Sequence, residues 1–124
     1  MTDDEKIDDA LDRFEIETPS WGYADTGTRF GKFLQDGAAI TIEDKLADAG
    51  QVHQFTGCCP QVAVHVLWDF SGETRPDDVE KLATKHGVRI GSINPNLFQD
   101  QCYKLGSLTH PEQDIRDQAI AHCV

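Results

Sequence analysis

Basic residues are scarce in this chain: 11 Lys and Arg stand against 22 Asp and Glu, a formal net charge of −11. A surface of that sign repels nucleic-acid phosphates and anionic headgroups, so neither a nucleic acid nor a membrane is an expected partner. Long apolar runs are missing, and nothing approaches the ~18–20 residues of a membrane span. The opening MTDDEKIDDALD has neither the basic start nor the apolar centre of a signal peptide, so a cytoplasmic location is expected. Cysteines number four, Cys58, Cys59, Cys102 and Cys123. None sits in a Cys-x-x-Cys spacing and no export signal accompanies them, which favours free thiols over disulfides or a zinc knuckle. There is no Gly-x-Gly-x-x-Gly and no phosphate loop, which argues against a dinucleotide-binding domain. No Gly-x-Ser-x-Gly supplies a nucleophile elbow. The histidines, 53, 65, 86, 110 and 122, are scattered, so no metal site is assigned to this chain's own residues.

What the chain does have is one apolar stretch, residues 62–70, Val-Ala-Val-His-Val-Leu-Trp-Asp-Phe. It is short for a helix, rich in β-branched residues and bounded by Gly57, Pro60 and Gly72. It reads as a strand buried on both faces. A strand that admits His65 and then opens onto Trp68 and Asp69 makes one wall of a ligand pocket.

The other elements fall on either side. Residues 1–14 place Ile7, Leu11 and Phe14 at helical spacing, as on an amphipathic helix lying outside something larger. Residues 15–19 read as a weak first strand. Residues 21–36 form a long Gly-rich loop with Trp21, Tyr23, Phe30 and Phe33. It is either packed on its own domain or a lid or arm reaching a neighbouring subunit. Residues 41–55 form a helix with Thr41 and Asp44 as a capping box and Ile42, Leu46, Ala49 and Val52 as its buried stripe. Pro76 opens a helix to His86, with acids in its first turns and Gly87 as its stop. Residues 88–93 read as a third strand, leading into a loop with Asn94, Asn96 and Phe98. A last helix starts near Pro111 with Thr109 or His110 as cap, and its apolar stripe runs to the end without a stop signal. The reading is therefore of one domain over 1–124, cut from a longer fold.

Strands alternating with helices predict an α/β fold with a parallel sheet and right-handed crossovers. An open doubly wound sheet and the first part of an eight-stranded (β/α)8 barrel both satisfy this order; the missing phosphate motifs favour the barrel. In such barrels the working residues lie at the C-terminal ends of strands. Here those exits deliver Trp21, then His65, Trp68 and Asp69, then Asn94, Asn96 and Phe98. Aromatic faces beside a few hydrogen-bonding groups suit a sugar, whose C–H faces pack on rings. His65 is the candidate for proton handling, or a core histidine bonded to a backbone carbonyl. Asp69 either orients His65 or caps the following loop.

Five segments occur in order: Pro19-Ser20-Trp21-Gly22, Gly27-Thr28-Arg29-Phe30, His65-x-x-Trp68-Asp69, Asn94-x-Asn96-x-Phe98 and Tyr103-Lys104-x-Gly106-Ser107-Leu108-x-His110. This series resembles the bacterial L-rhamnose isomerase and related sugar isomerases, metal-dependent (β/α)8 TIM barrels. The resemblance implies an intramolecular oxidoreductase that converts L-rhamnose to L-rhamnulose by ring opening and a hydride shift between C1 and C2. It implies that Trp21, Trp68 and Phe98 line the sugar pocket and that His65 bonds the ring oxygen. Phe30 would project into the active site of an adjacent subunit, in a homotetramer. It also implies manganese or a similar divalent ion, held by carboxylates and a histidine from later strands that this chain lacks. The expectation is a chain that is the N-terminal portion of such an enzyme and inactive alone. A truncated barrel serving as a sugar-binding or assembly module is the alternative, and a redox or zinc protein using the cysteines is a third.

Overall fold

The computed structural model describes residues 2–25, 35–70, 72 and 74–124. The expected Phe30 arm and most of the Gly-rich loop around it lie outside the described residues.

Helix α1 (Asp3–Asp12) begins where Thr2 and Glu5 exchange hydrogen bonds in a capping box, with three acids in the first turn. None of its residues is buried, and Ile7 and Leu11 stand exposed. Strand β1 (Glu17–Pro19) follows and runs into a 3-10 turn, Ser20–Gly22. Helix α2 (Ile42–Thr56) is capped by Thr41 and Asp44 as the sequence predicts. The Asp44 carboxylate accepts from the Thr41 backbone N–H and, at longer range, from that of Ile40, and hydrogen bonding, Thr41 first, holds its carboxyl below the usual range. The chain continues through β2 (Gln61–His65), a single helical turn α3 (Val66–Asp69), helix α4 (Pro76–Lys85) and strand β3 (Arg89–Asn94). A 3-10 segment, Gln101–Leu105, and helix α5 (Gln113–His122) complete it.

The three strands are parallel and lie in sequence order, β1-β2-β3. The fold is thus α/β with a small parallel sheet. Between β2 and β3 the register slips: Val62 faces Ile90, but Val64 faces Ile93. The extra residue on β3 falls at Gly91–Ser92. Glu17, reaching across from β1, accepts from both the backbone N–H and the hydroxyl of Ser92. A bulge leaves a donor outside the ladder, and here a carboxylate takes it.

The core lies between the sheet and α2 and α4. Leu46, Ala49, Val62, Val79, Ala83 and Val88 are its buried members. Val62 and Val64 alternate with Gln61 and Ala63 along β2, and the first pair is fully buried while the second is half-buried. Full burial of a side chain such as Leu46 contributes roughly 1.5–3 kcal/mol.

Helices α2 and α4 touch through a glycine. A Cβ on Gly50 would sit 2.2 Å from the carbonyl oxygen of His86. Gly50→Ala is therefore expected to cost about 1–3 kcal/mol through overpacking, despite Ala's better helix propensity. A lower urea midpoint at unchanged slope is the expected reading.

One expected element is corrected. Residues 62–70 do not form one strand: extended pairing ends at His65 and the next four residues wind into α3. The reason is local. The His65 ring nitrogen Nδ1 accepts from the Leu67 N–H at 3.2 Å, and Asp69 accepts from the His65 backbone N–H at 2.7 Å. Those two bonds turn the chain back on itself. Val66 and Leu67 are left exposed, so the run is not buried on both faces throughout. The last helix also starts later than expected, at Gln113, with Glu112 at the cap position. His110 still serves that end, because its Nδ1 accepts from the Glu112 N–H at 3.1 Å.

Candidate functional site

The exits of the three strands converge on His65. Its imidazole stacks on Trp68, with centroids 3.7 Å apart and planes 12° from parallel. Trp21 meets it edge-on at 6.1 Å, and Phe98 does so at 6.0 Å. Trp21 and Trp68 also meet edge-on, at 6.0 Å. Four of the five residues singled out as sugar-binding by the resemblance thus share one cluster: Trp21 from the turn after β1, His65 and Trp68 from the end of β2, and Phe98 from the loop after β3. The fifth, Phe30, lies outside the described residues.

Beneath the rings is a knot of buried polar groups. Asp69 and Lys45 form an ion pair at 2.7 Å, with side chains 0% and 3% exposed. The second Asp69 oxygen accepts from the Ser20 hydroxyl at 2.5 Å and from the His65 backbone N–H. Lys45 Nζ also reaches the Trp68 carbonyl at 3.4 Å. Ser20 and His65 are themselves fully buried. One carboxylate therefore fastens the turn after β1, helix α2, the end of β2 and α3 at a single point. Charge-assisted bonds of this kind are short and strong, and they fix the backbone on which three of the rings are carried. Asp69 orients His65, but through the main chain and not through the ring.

The sequence reading missed Lys45. A signal was present: position 45 lies three residues after Ile42 and four before Ala49, on the same helical face as the buried stripe. A lysine there must find an acid or leave the core. Asp69, embedded in an apolar run, was the acid in need of a cation.

The hydrogen bonds also settle how His65 carries its proton. Nδ1 accepts from an amide N–H, so the neutral ring holds its proton on Nε2. The alternative of a bond to a backbone carbonyl is not what the structure has at Nδ1. Nε2 is buried and finds no partner among the described residues. Asn96, two residues beyond the β3 residue that pairs with His65, likewise has a buried Oδ1 without a partner among them. Its backbone is left-handed, φ 63°, a conformation Asn tolerates better than other side chains.

Burial holds the His65 pKa below its ordinary 6.5; Asp69 pulls the other way and Lys45 reinforces the depression. The unfolded chain would take up a proton that the folded chain refuses. Stability is therefore whole above pH 6.5 and is lost as pH falls through the folded value. Glu15, Glu43 and Asp44 are also held low, but their losses fall in a separate, more acid window below 4.5. Urea unfolding of His65→Gln, followed over pH, is expected to lose the upper slope and keep the acid one.

Among the described residues, no three His, Cys, Asp or Glu side chains gather to hold a metal ion. Among them also, no helix is long and apolar enough to cross a membrane.

No protein-family model matches the chain. It is 33% identical over 117 residues to a probable sugar isomerase of Mesorhizobium japonicum, covering 90% of this chain and 26% of that protein. It is 35% identical over 117 residues to a probable sugar isomerase of Rhizobium meliloti, covering 88% of this chain and 26% of that one. The chain is similar to sugar isomerases. It spans about a quarter of the length of these two relatives. Their names give a sugar isomerase in general and do not single out rhamnose.

Proposed function

We propose that this chain forms one wall of the sugar pocket of an aldose–ketose isomerase. The observation that carries the reading is a neutral imidazole, its Nε2–H buried and without a partner among the described residues, walled by two indoles and a phenyl ring. The rings offer apolar faces to the C–H side of a sugar. His65 Nε2 offers a donor, and the Asn96 side chain a second polar group at the neighbouring exit. The likeness to two probable sugar isomerases supports the same reading.

Opening a pyranose removes a proton from the anomeric hydroxyl and places one on the ring oxygen. His65, neutral and with its proton on Nε2, hydrogen-bonds that oxygen and stabilises its developing charge, while the proton that leaves the anomeric hydroxyl passes through water to the ring oxygen. The knot at Asp69 keeps the imidazole at a fixed height against Trp68. In the present arrangement Nε2 is closed to solvent, so a ring must swing for a sugar to reach it. Phe98, 56% exposed and carried on a loop, is the ring with room to do so.

The parallel strands in sequence order suit the opening part of a (β/α)8 barrel. On this reading the substrate is L-rhamnose or a close aldose, and the working protein is a cytoplasmic homotetramer. The divalent ion, manganese or similar, does not fit the residues described, which gather no three ligating side chains. Its ligands would come from other parts of a longer protein.

A chimera tests the proposal. The matching quarter of the Mesorhizobium japonicum protein is replaced by this chain and assayed for ketose formation from L-rhamnose and related aldoses, with manganese added. The expected result is turnover of the same aldoses as the unaltered relative. A folded chimera that turns over none of the sugars its parent accepts would contradict the reading.

A further inference from the structure

Cys58 and Cys59 lie on the turn that leads from α2 into the start of β2, the end of that strand opposite His65. In an extended chain, neighbouring side chains point to opposite sides. Here they do not. Gly57 ends α2 in the left-handed conformation, φ 71°, and the turn that follows brings the two sulfurs to 3.9 Å. Both are free thiols; Cys58 is half-buried and Cys59 is buried.

We propose that Cys58 and Cys59 form a dithiol site that chelates trivalent arsenic, the class of ligand represented by phenylarsine oxide. Thiolates are the soft ligands such a thiophilic centre prefers. In its hydrated form the arsenical carries two hydroxyl groups. Each thiol forms one As–S bond, one As–O bond breaks, and the thiol proton leaves with the hydroxyl as water. Two waters are released and the oxidation state of arsenic does not change. Cys58, the more accessible thiol, makes the first bond. The Cys59 sulfur is then already beside the arsenic, so the second bond forms within one molecule.

The turn is also a structural junction. The Cys58 carbonyl accepts from the Ile16 N–H at 2.7 Å, and the Pro60 carbonyl accepts from the Arg89 N–H at 2.9 Å. A chelate there sits where the approaches to all three strands are tied. It is separate from the ring cluster, and the site stands or falls independently of the sugar reading.

The test uses the whole chain, reduced with a phosphine and incubated with phenylarsine oxide. The protein is then unfolded in urea, alkylated with N-ethylmaleimide and mapped by mass spectrometry. The expected result is one arsenical per chain, with Cys58 and Cys59 protected, Cys102 and Cys123 alkylated, and protection reversed by 2,3-dimercaptopropanol. Cys58→Ser and Cys59→Ser are each expected to weaken binding by about 100-fold or more, through loss of the intramolecular second bond. The map of the unsubstituted chain decides the matter even if a variant fails to fold. Protection at Cys102 or Cys123 instead, or alkylation of all four cysteines in the presence of the arsenical, would overturn the proposal.

Discussion

Lys45→Met is expected to destabilise the chain by about 3–5 kcal/mol, the range for breaking a buried ion pair from one side. The substitution keeps the volume and the helix propensity, so its effect isolates the charge. It leaves the Asp69 carboxylate in the core with two donors, Ser20 and His65, and no cation. Asp69→Ala is expected to cost at least as much, because it strands the ammonium and also frees the Ser20 hydroxyl and the His65 N–H. Ser20→Ala removes a single bond to a charged acceptor and is expected to cost about 1.5–3 kcal/mol. The double variant Lys45→Met with Asp69→Leu should cost less than the sum of its parts, since neither charge is then left alone. Urea unfolding at constant slope measures all four. A Lys45→Met loss below about 1 kcal/mol, the range of surface pairs, would show that this contact does not hold the site together.

His65→Phe in the chimera is expected to lower kcat by about 10²–10³, the usual loss when a positioned hydrogen-bond donor is removed from developing charge. Phenylalanine keeps the stack on Trp68 and removes only the nitrogens. The choice of sugar then separates chemistry from architecture. A short aldose that cannot close into a ring has no ring to open, so the loss on it should be far smaller. If the variant slows both kinds of substrate equally, His65 acts through the shape of the site and not through its proton. Trp68→Leu, by contrast, removes the apolar face opposite the imidazole and is expected to act mainly on KM.

Much of this arrangement was legible before any coordinates. Thr41 with Asp44, Pro76 and Gly87 mark helix ends because each satisfies or ends a backbone group in a way few other residues do. The alternation of strands and helices gave the parallel sheet, and the strand-exit rule placed Trp21, His65, Trp68 and Phe98 at one end. Two features were not legible. The run of residues 62–70 carries no period, so nothing in it announces the break after His65; a side-chain bond from Asp69 decides it. Lys45 drew no reading at all, because its residue type gives no sign of burial. Its position on the apolar stripe outweighs its type once a buried acid is present. Both misses have one origin, the reach of a single carboxylate across four segments that are distant in sequence.

The most direct measurement is the nitrogen-15 NMR titration of the His65 ring in the intact chain. A neutral ring protonated at Nε2, a titration midpoint below 6.5 and ring protons shifted upfield by the stacked Trp68 are the predicted results. A midpoint at or above 6.5, the opposite tautomer, or ring protons at unstacked positions would contradict the claim that burial and aromatic walls hold this imidazole neutral, as a fixed hydrogen-bond donor.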